Sequence, residues 1–245
     1  GIIGAGPLIE LGIIKEYLIH LKPKKVLWFY FEANDLLDLR REKPFSILRN
    51  YLQPDFRQNL MERQKELDLF QTDYLEKQLV LERQHYMRIK ARQTREAENT
   101  KAQQESYQSF WSILSLKHLQ SRVVTAINKL RIADDLEQYD MPLFRKTVSI
   151  AADTVSRWGG KFYFIYLPSW ERYGSTTPPD MLNYRSDILD SIADLQLPCI
   201  DIHKRFAELE DPTNMFPFQL TGHYTVEGYK LVTDSIADFL EASIE

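Results

Sequence analysis

Cysteine and an excess of positive charge are the two things this chain most clearly lacks. Cys199 is the only cysteine among 245 residues, which excludes a disulfide framework and a cysteine-based metal cluster. It lies in an apolar stretch, so we expect a small buried side chain there. The formal net charge of −4 provides no basic surface for nucleic acid. Long apolar runs are lacking too, because no stretch approaches the roughly 20 residues that cross a bilayer.

Glycine and proline are both absent between Asp55 and Met141, and this absence marks an inserted segment. The stretch is rich in Gln, Glu, Arg, Lys and Leu, which favour helix. Residues 91–106 contain no large apolar side chain, so a solvated helix face, a turn and partial disorder all remain open for them. Before residue 91, apolar side chains that recur every seven residues predict a long helix. They are Leu60, Leu67, Tyr74 and Leu81, and Phe70 joins the same stripe three residues after Leu67.

A second apolar helix is predicted over about residues 107–130. Together the two helices predict a hairpin, residues 55–130, inserted between the two parts of one domain, residues 1–54 and 131–245. The ordinary interpretation is a structural insertion. The alternative is a partner-binding arm or a coiled-coil element for self-association, because the apolar stripe follows a heptad spacing.

Outside the insertion, helical segments alternate with short apolar runs. Three of these runs predict strands: Val26–Phe31, Phe162–Leu167 and the shorter Cys199–Ile202. The first two are continuous apolar and aromatic runs, which are typical of strands buried on both faces. Helices are predicted over residues 7–21, 141–158, 182–195 and 226–242. This alternation predicts an α/β fold with a parallel sheet covered by helices. Ligands of such sheets bind beyond the carboxyl ends of the strands.

Polar residues follow two of the predicted strands at that edge. Residues 32–35 (Glu-Ala-Asn-Asp) come directly after the first strand, and residues 168–173 (Pro-Ser-Trp-Glu-Arg-Tyr) follow the second. His223 lies in a glycine-flanked loop directly before the last helix. We expect these three segments to converge. Each also has an ordinary explanation, since His223 can pack against its neighbour and residues 34–35 can form a turn and helix cap.

Three short motifs in this order resemble blocks of the SGNH (GDSL-like) hydrolases. Gly4 in Ile-Ile-Gly-Ala-Gly-Pro resembles the block after that family's second strand, and Asn34 in Glu-Ala-Asn-Asp resembles the block after the third. His223 in Gly-His-Tyr-Thr-Val-Glu-Gly resembles the block before the last helix. The motifs look closest to the bacterial branch associated with acyl groups on glycans. The resemblance implies a three-layer α/β/α fold of flavodoxin-like type.

The resemblance also implies a role for each motif. Attack on an ester builds negative charge on the carbonyl oxygen, which hydrogen-bond donors stabilise. The side-chain amide of Asn34 and the backbone N–H of Gly4 would be those donors, and His223 would be the general base. The serine nucleophile is expected upstream of residue 1. The chain therefore resembles a fragment that lacks its first strand, and we expect such a fragment to be poorly stable alone.

Two positions depart from the family pattern. Ala33 stands where a glycine usually precedes the asparagine, a change expected to alter the turn only modestly. An aspartate usually stands two or three residues before the histidine, whereas this chain has Thr221 and Leu220 there. A backbone carbonyl or a side chain from elsewhere would have to orient His223.

Further substrate contacts are predicted close to the three motifs, at Ala33, Asp35, Trp170, Glu171 and Tyr224. The aromatic rings among them suit stacking on sugar rings, and core packing explains them equally well. Asp201 and His203 have the spacing of a metal pair, but no further ligand lies nearby in the sequence. We therefore predict neither a metal nor a cofactor.

Three functional hypotheses follow. The first is a serine ester hydrolase or O-acyltransferase that acts on acyl or acetyl esters of a glycan through an acyl-enzyme; the resemblance implies an extracytoplasmic or membrane-anchored location. The second is a catalytically degenerate SGNH-like domain that binds a glycan or mediates assembly through helices 55–130. The third is an unrelated α/β scaffold in which the motifs coincide by chance. None of the three involves nucleic acid.

Overall fold

The chain divides into two compact units. The structure, a computed structural model, describes residues 4–103, 139–174, 184–220 and 222–242. Residues 1–59 and 138–245 form the first unit, and residues 60–137 form the second. The predicted second helix of the insertion, residues 107–130, lies outside the described residues.

A three-stranded parallel sheet forms the centre of the first unit, so the chain is a mixed α/β protein. The strands are β1 (Lys25–Phe31), β2 (Lys161–Leu167) and β3 (Cys199–Asp201), in the order β1-β2-β3. β1 and β2 pair along their whole length, whereas β3 pairs only with the second half of β2. The three predicted strands are confirmed to within one residue at each end.

Helices precede each strand, as the sequence pattern predicts. α1 (Pro7–Ile13) continues through a π-helical segment (Ile14–Leu18) and a last turn (Ile19–Leu21), and it ends at Lys22 with a left-handed φ of 45°. The remaining helices are α2 (Asp35–Glu42), α3 (Ser46–Asn50), α4 (Gln64–Gln103), α5 (Met141–Arg157), α6 (Tyr184–Asp194), α7 (Ile202–Ala207) and α8 (Val226–Ala242). Short 3-10 turns cover Trp170–Arg172, Pro212–Met215 and Pro217–Gln219.

Apolar side chains pack on both faces of the sheet. On one face, Trp28 and Phe164 share a cluster with side chains of α1, α5 and α6. On the other face, Ile165 shares a cluster with Phe206 of α7 and Val232 of α8. The five consecutive residues 162–166 of β2 are all buried. Burial on both faces explains why this central strand is a continuous apolar run rather than an alternating one.

β1 differs from the prediction that it is buried on both faces. Val26, Trp28 and Tyr30 are buried, but Phe29 on the opposite face is 41% exposed. The physical reason is the packing on that face, because the buried strand residues of its apolar cluster come from β2 and β3, and Phe29 is not a member. A shallow groove lined by β1 and by Ile13 and other residues of α1 runs beside it.

α4 forms the described part of the second unit. It is a single helix of 40 residues, so the backbone of residues 91–103 is helical rather than a turn. The predicted stripe is not buried, because Phe70, Tyr74 and Leu81 are 69%, 53% and 53% exposed. Leu60 of that stripe precedes the helix. No helix in the described ranges combines the length and apolarity needed to cross a membrane.

Candidate functional site

Asn34 lies where β1 ends and α2 begins. Its backbone carbonyl accepts a hydrogen bond from the N–H of Asp38 at 2.7 Å, and its Nδ2 donates to Oδ2 of Asp38 at 2.6 Å. The other oxygen of Asp38 accepts from Nη1 of Arg41 at 2.9 Å. Asp38 is only 2% exposed, so a buried carboxylate fixes the Asn34 amide. Because an amide NH₂ carries two protons, one N–H remains for a ligand.

The loop that carries Gly4 lies against α2. The carboxylate of Glu42 accepts hydrogen bonds from the backbone N–H groups of Gly6 at 2.6 Å and Leu8 at 2.8 Å, and thereby caps the start of α1. A Cβ at Gly6 would lie 2.8 Å from Cβ of Asp38, so only glycine permits this approach. Gly4 itself is exposed, with φ of 71°. These contacts bring the Gly4 loop beside the helix that Asn34 begins.

His223 is exposed in the loop before α8, and its neighbour Tyr224 fixes that loop. The Tyr224 hydroxyl donates to the carbonyl oxygen of Pro168 at 2.6 Å. Its ring meets the ring of Phe31 edge-on, with centroids 6.4 Å apart. Phe31 ends β1 and Pro168 follows β2, so the His223 loop lies at the carboxyl edge of the sheet, where Asn34 also lies.

The imidazole of His223 has no orienting carboxylate in the part of the chain that the structure describes. No hydrogen bond or ion pair joins its ring to a described residue. Leu220 and Thr221 stand where the SGNH pattern would have an aspartate, and Leu220 is 57% exposed. The departure noted in the sequence is therefore not compensated by another described carboxylate.

A second polar group at this edge is a buried ion pair. The carboxylate of Glu32, at the end of β1, accepts from Nε of Arg172 at 3.0 Å and is also bonded to its Nη2. The same carboxylate accepts from the backbone N–H of Ser169 at 3.0 Å. The two charged side chains are only 10% and 13% exposed. The pair joins the end of β1 to the turn after β2 and so stiffens the edge on which His223 and Asn34 lie.

Asp201 and His203 are each bonded to other groups of the protein. Asp201 pairs with Arg185 and accepts from the backbone N–H of His203 at 3.2 Å, which caps α7. Nδ1 of His203 is hydrogen-bonded to the hydroxyl of Tyr173 at 2.9 Å. Across the described ranges, no group of three or more histidine, cysteine, aspartate or glutamate side chains is placed to hold a metal ion.

Four carboxyl groups gather where α1 begins and α2 packs against it. Burial, together with the charges of Asp35 and Glu42, raises the pKa of Glu10 to about 9. Burial raises the pKa of Asp35 to about 7, against the opposing effect of the Phe31 N–H that it accepts. The pKa of Glu42 is also raised by burial, although backbone N–H groups of α1 oppose the shift. Asp38 completes the group. We expect part of this cluster to be protonated at neutral pH.

The predicted substrate residues fall into two sets. Ala33 is exposed beside Asn34 and leaves the amide accessible. Asp35 and Tyr224 are instead 6% and 7% exposed. Oδ2 of Asp35 accepts from the N–H of Phe31 at 2.8 Å, and the ring of Tyr224 belongs to the apolar cluster beside β2. In this structure both side chains hold the edge together, and neither presents a surface to a ligand.

Trp170 and Glu171 are half-buried in the 3-10 turn after β2. A Cβ on Gly174 would lie 2.5 Å from the Trp170 ring, so the indole packs over that glycine. Nε1 of Trp170 is buried and makes no hydrogen bond within the described residues. The indole is therefore a core side chain that has one unsatisfied polar atom at the edge.

Sequence reasoning missed Asp38, Glu42 and Glu32. Asp38 follows Asn34 by four residues on one helix, a spacing at which side chains meet, so this partner was open to prediction. Glu42 caps a helix 34 residues earlier in the chain. Glu32 pairs with an arginine 140 residues later. No local pattern signals the contact of Glu42, whereas the predicted convergence of residues 32–35 and 168–173 brings Glu32 and Arg172 together without specifying that they pair.

Comparison with protein-family models, with curated proteins and with solved structures finds no match. The assignment of a function therefore depends on the three motifs and on the geometry of the edge at which they lie.

Proposed function

We propose that this chain carries the general base and the oxyanion donors of a serine ester hydrolase or O-acyltransferase of the SGNH type. The observation that supports the proposal best is that Asn34 and the loop of His223 lie at one edge of a parallel sheet, beyond the carboxyl ends of β1 and β2. Ligands of parallel sheets bind at this edge. The loop of Gly4 lies against the helix that Asn34 begins.

In the proposed reaction, a serine hydroxyl oxygen attacks the carbonyl carbon of an acyl ester while His223 accepts the serine proton. The carbonyl oxygen becomes negative and accepts hydrogen bonds from the Asn34 amide and the Gly4 backbone N–H. When the intermediate collapses, the alcohol leaves with the proton from His223 and the acyl group stays on the serine. Water then completes hydrolysis, or a sugar hydroxyl completes transfer.

The Asn34 amide suits its proposed role because it is already oriented. Its bond to the buried Asp38 leaves one N–H directed elsewhere and removes most of its rotational freedom. Preorganised donors of this kind do not have to reorganise during the reaction. Ser169 follows β2 at the same edge, but it is 2% exposed and so is not assigned as the nucleophile.

The proposed substrate is an acyl or acetyl ester of a glycan, which follows from the resemblance to the bacterial glycan-modifying branch. Ala33 is exposed beside Asn34, so its methyl group is available to contact the substrate. The acceptor, water or a sugar hydroxyl, is decided by assay with an acetylated glycan in the presence of a non-acetylated one.

A fluorophosphonate probe tests the hydrolase directly. The natural protein at its full length is treated with the probe, and the modified residue is located by mass spectrometry. We expect one serine to be labelled in the wild type, no labelling in His223→Ala, and labelling slowed on the order of 10²–10³-fold in Asn34→Ala. His85→Ala is the matched control, because His85 is an exposed histidine on α4. Failure to label a folded wild-type protein would overturn the proposed activity.

A second candidate function is a non-catalytic SGNH-like domain that binds a glycan or takes part in assembly. Two observations favour it. His223 has no orienting carboxylate among the described residues, and α4 exposes many large apolar side chains. Leu69, Phe70 and Leu79 are 74%, 69% and 64% exposed. Exposed apolar surface on this scale is typical of an interaction surface.

Analytical ultracentrifugation tests assembly through α4. We expect the wild type to associate and Phe70→Glu with Leu81→Glu to be monomeric. Gln71→Glu with Gln84→Glu is the matched control, because it introduces the same charge at exposed polar positions of the same helix. A monomeric wild type, or equal dissociation of both double variants, contradicts self-association.

A further inference from the structure

A pocket of about 430 Å³ opens at the end of the first unit opposite the proposed ester site. It lies between the last turns of α1, the segment that follows α3, and the carboxyl end of α5. Four cationic side chains line it, and Asp55 is the single carboxylate among its lining residues; the cations are Lys15, Lys22, Arg57 and Arg157. Pockets of this volume are typical of small-molecule sites.

Three of these cations have no direct partner within the described residues, although Asp55 lines the same pocket. The side chains of Lys22, Arg57 and Arg157 make neither a hydrogen bond nor an ion pair there. The nearby carboxylate of Glu16 is already bonded to the hydroxyl of Tyr51 and to a backbone N–H. The pocket thus gathers four cations against the one carboxylate in its lining, an excess of positive charge that the protein neutralises only in part.

Lys15 anchors the floor of the pocket. It is 2% exposed, and its Nζ donates to the carbonyl oxygens of Tyr51 at 3.0 Å and Gln53 at 2.5 Å. An ammonium group has three protons, so one remains for a ligand. Burial lowers the pKa of Lys15, as do the positive charges of Arg157 and Arg57, while the carboxylates of Asp55 and Glu16 oppose the shift. An anion in the pocket would relieve this repulsion.

Helix dipoles do not account for the whole group. A cation at the last turn of a helix is favoured by the partial negative charge there, which explains Lys22 after α1 and Arg157 at the end of α5. Arg57 belongs to no helix, and Lys15 is buried inside the π-helical segment. Their presence in the same pocket needs a different explanation.

We propose that this pocket binds the phosphate or diphosphate group of a small molecule. One guanidinium group can donate two parallel hydrogen bonds to the oxygens of a phosphate, and a lysine ammonium contributes a compact positive charge. A phosphate monoester carries about two negative charges at neutral pH, which matches a site with an excess of cations. Trp158 lines one wall, with its Nε1 donating to the carbonyl oxygen of Pro23 at 3.0 Å. A fixed indole of this kind is suited to contact an organic group attached to the phosphate.

Isothermal titration calorimetry of the full chain with pyrophosphate tests the site. We expect saturable binding at one site, weakened by at least about tenfold in Arg57→Gln with Arg157→Gln, because charge-assisted hydrogen bonds are lost. The matched control is Arg145→Gln with Arg205→Gln, which changes the net charge equally at exposed arginines outside the pocket. We expect its affinity to stay within about twofold of wild type. Circular dichroism establishes that each variant is folded.

A second titration, with a nucleoside diphosphate, distinguishes a site for phosphate alone from a site for phosphate attached to an organic group. Tighter binding than pyrophosphate indicates that Trp158 contacts the organic part, and equal binding indicates that the phosphates alone are recognised; either result supports a phosphate site. The absence of saturable binding of both ligands to the wild type overturns the proposal. An equal loss of affinity in the two double variants also overturns it, because the effect is then one of overall charge.

Discussion

The hydroxyl of Tyr224 donates a hydrogen bond to the carbonyl oxygen of Pro168 at 2.6 Å. This bond connects the loop before α8 with the turn after β2, two segments 56 residues apart in the chain. Together with the edge-on contact between the rings of Tyr224 and Phe31, it holds the segment that carries the neighbouring His223 at the sheet edge. The proposed base is therefore positioned through the side chain next to it.

We predict that Tyr224→Phe destabilises the protein by about 1–2 kcal/mol. The ring is kept, so packing is unchanged, but the buried carbonyl oxygen of Pro168 loses its hydrogen-bond donor. Urea unfolding followed by circular dichroism measures the difference in unfolding free energy. Tyr229→Phe is the control, because Tyr229 is 51% exposed and is expected to change by less than about 0.5 kcal/mol. Equal midpoints for wild type and Tyr224→Phe contradict the prediction.

Asp38 is expected to act as a positioning residue for the Asn34 amide. If the protein is an esterase, Asp38→Asn lowers kcat by about tenfold or more and leaves KM nearly unchanged, because the misplaced donor acts on the transition state. Steady-state assay of the full-length protein with a chromogenic ester measures both constants. Arg41→Gln is the control, since the Arg41 side chain is 67% exposed. A rise in KM at constant kcat instead places Asp38 in substrate binding.

The ion pair of Glu32 and Arg172 gives a third prediction. Arg172→Met leaves a carboxylate that is 10% exposed without its cation, and we expect a loss of about 3–5 kcal/mol. Adding Glu32→Gln to that variant removes the uncompensated charge, so the double variant should recover part of the loss. Urea denaturation of the two single variants, the double variant and the wild type gives the coupling free energy. Additive losses would show that the pair is not coupled.

The strands and most helices were predictable because each depends on a local pattern. The continuous apolar run in β2 reflects burial on both faces, and the absence of glycine and proline indicates the long helix α4. Side-chain partners were less predictable. Glu42 looks like a solvent-facing residue in sequence, yet it is 4% exposed and caps α1. Its role depends on how α1 and α2 pack, and no local pattern carries that information.

Gly6 and Gly4 together give a prediction that distinguishes the stability cost of close packing from that of a strained φ. In Gly6→Ala the new Cβ would lie 2.9 Å from the backbone carbon of Asp38 and 2.9 Å from Oε1 of Glu42, so α1 and α2 must move apart. We expect a loss of about 1–3 kcal/mol. Gly4→Ala is the comparison, because its Cβ meets no atom of the described residues within 4 Å, and the φ of 71° is what strains an alanine there. Thermal unfolding measures both variants, and the prediction fails if Gly6→Ala is as stable as wild type.

The raised pKa values of Glu10 and Asp35 make stability depend on pH. Each group keeps its proton in the folded state at pH values where the unfolded chain has already released it. The stability that these two groups contribute is therefore fully present below the unfolded values of about 4–4.5. It falls as pH rises through the window that ends near 9 for Glu10 and near 7 for Asp35. The unfolding free energy falls by up to about 1.4 kcal/mol per pH unit for each proton that only the folded state retains. Water around the half-buried Glu10 screens its charge and makes its share of this slope smaller.

Glu10→Gln isolates the contribution of Glu10. Glutamine keeps the shape of the protonated carboxyl group but does not titrate, so the variant should lose less stability than the wild type between pH 5 and pH 8. Above pH 7 it should be the more stable protein, because the buried Oε2 of Glu10 has no hydrogen-bond partner in the described structure and is costly to ionise. Urea unfolding at a series of pH values gives both curves. Glu227→Gln, at an exposed glutamate in the first turn of α8, should follow the wild-type curve, and parallel curves for Glu10→Gln and wild type would show that Glu10 titrates normally.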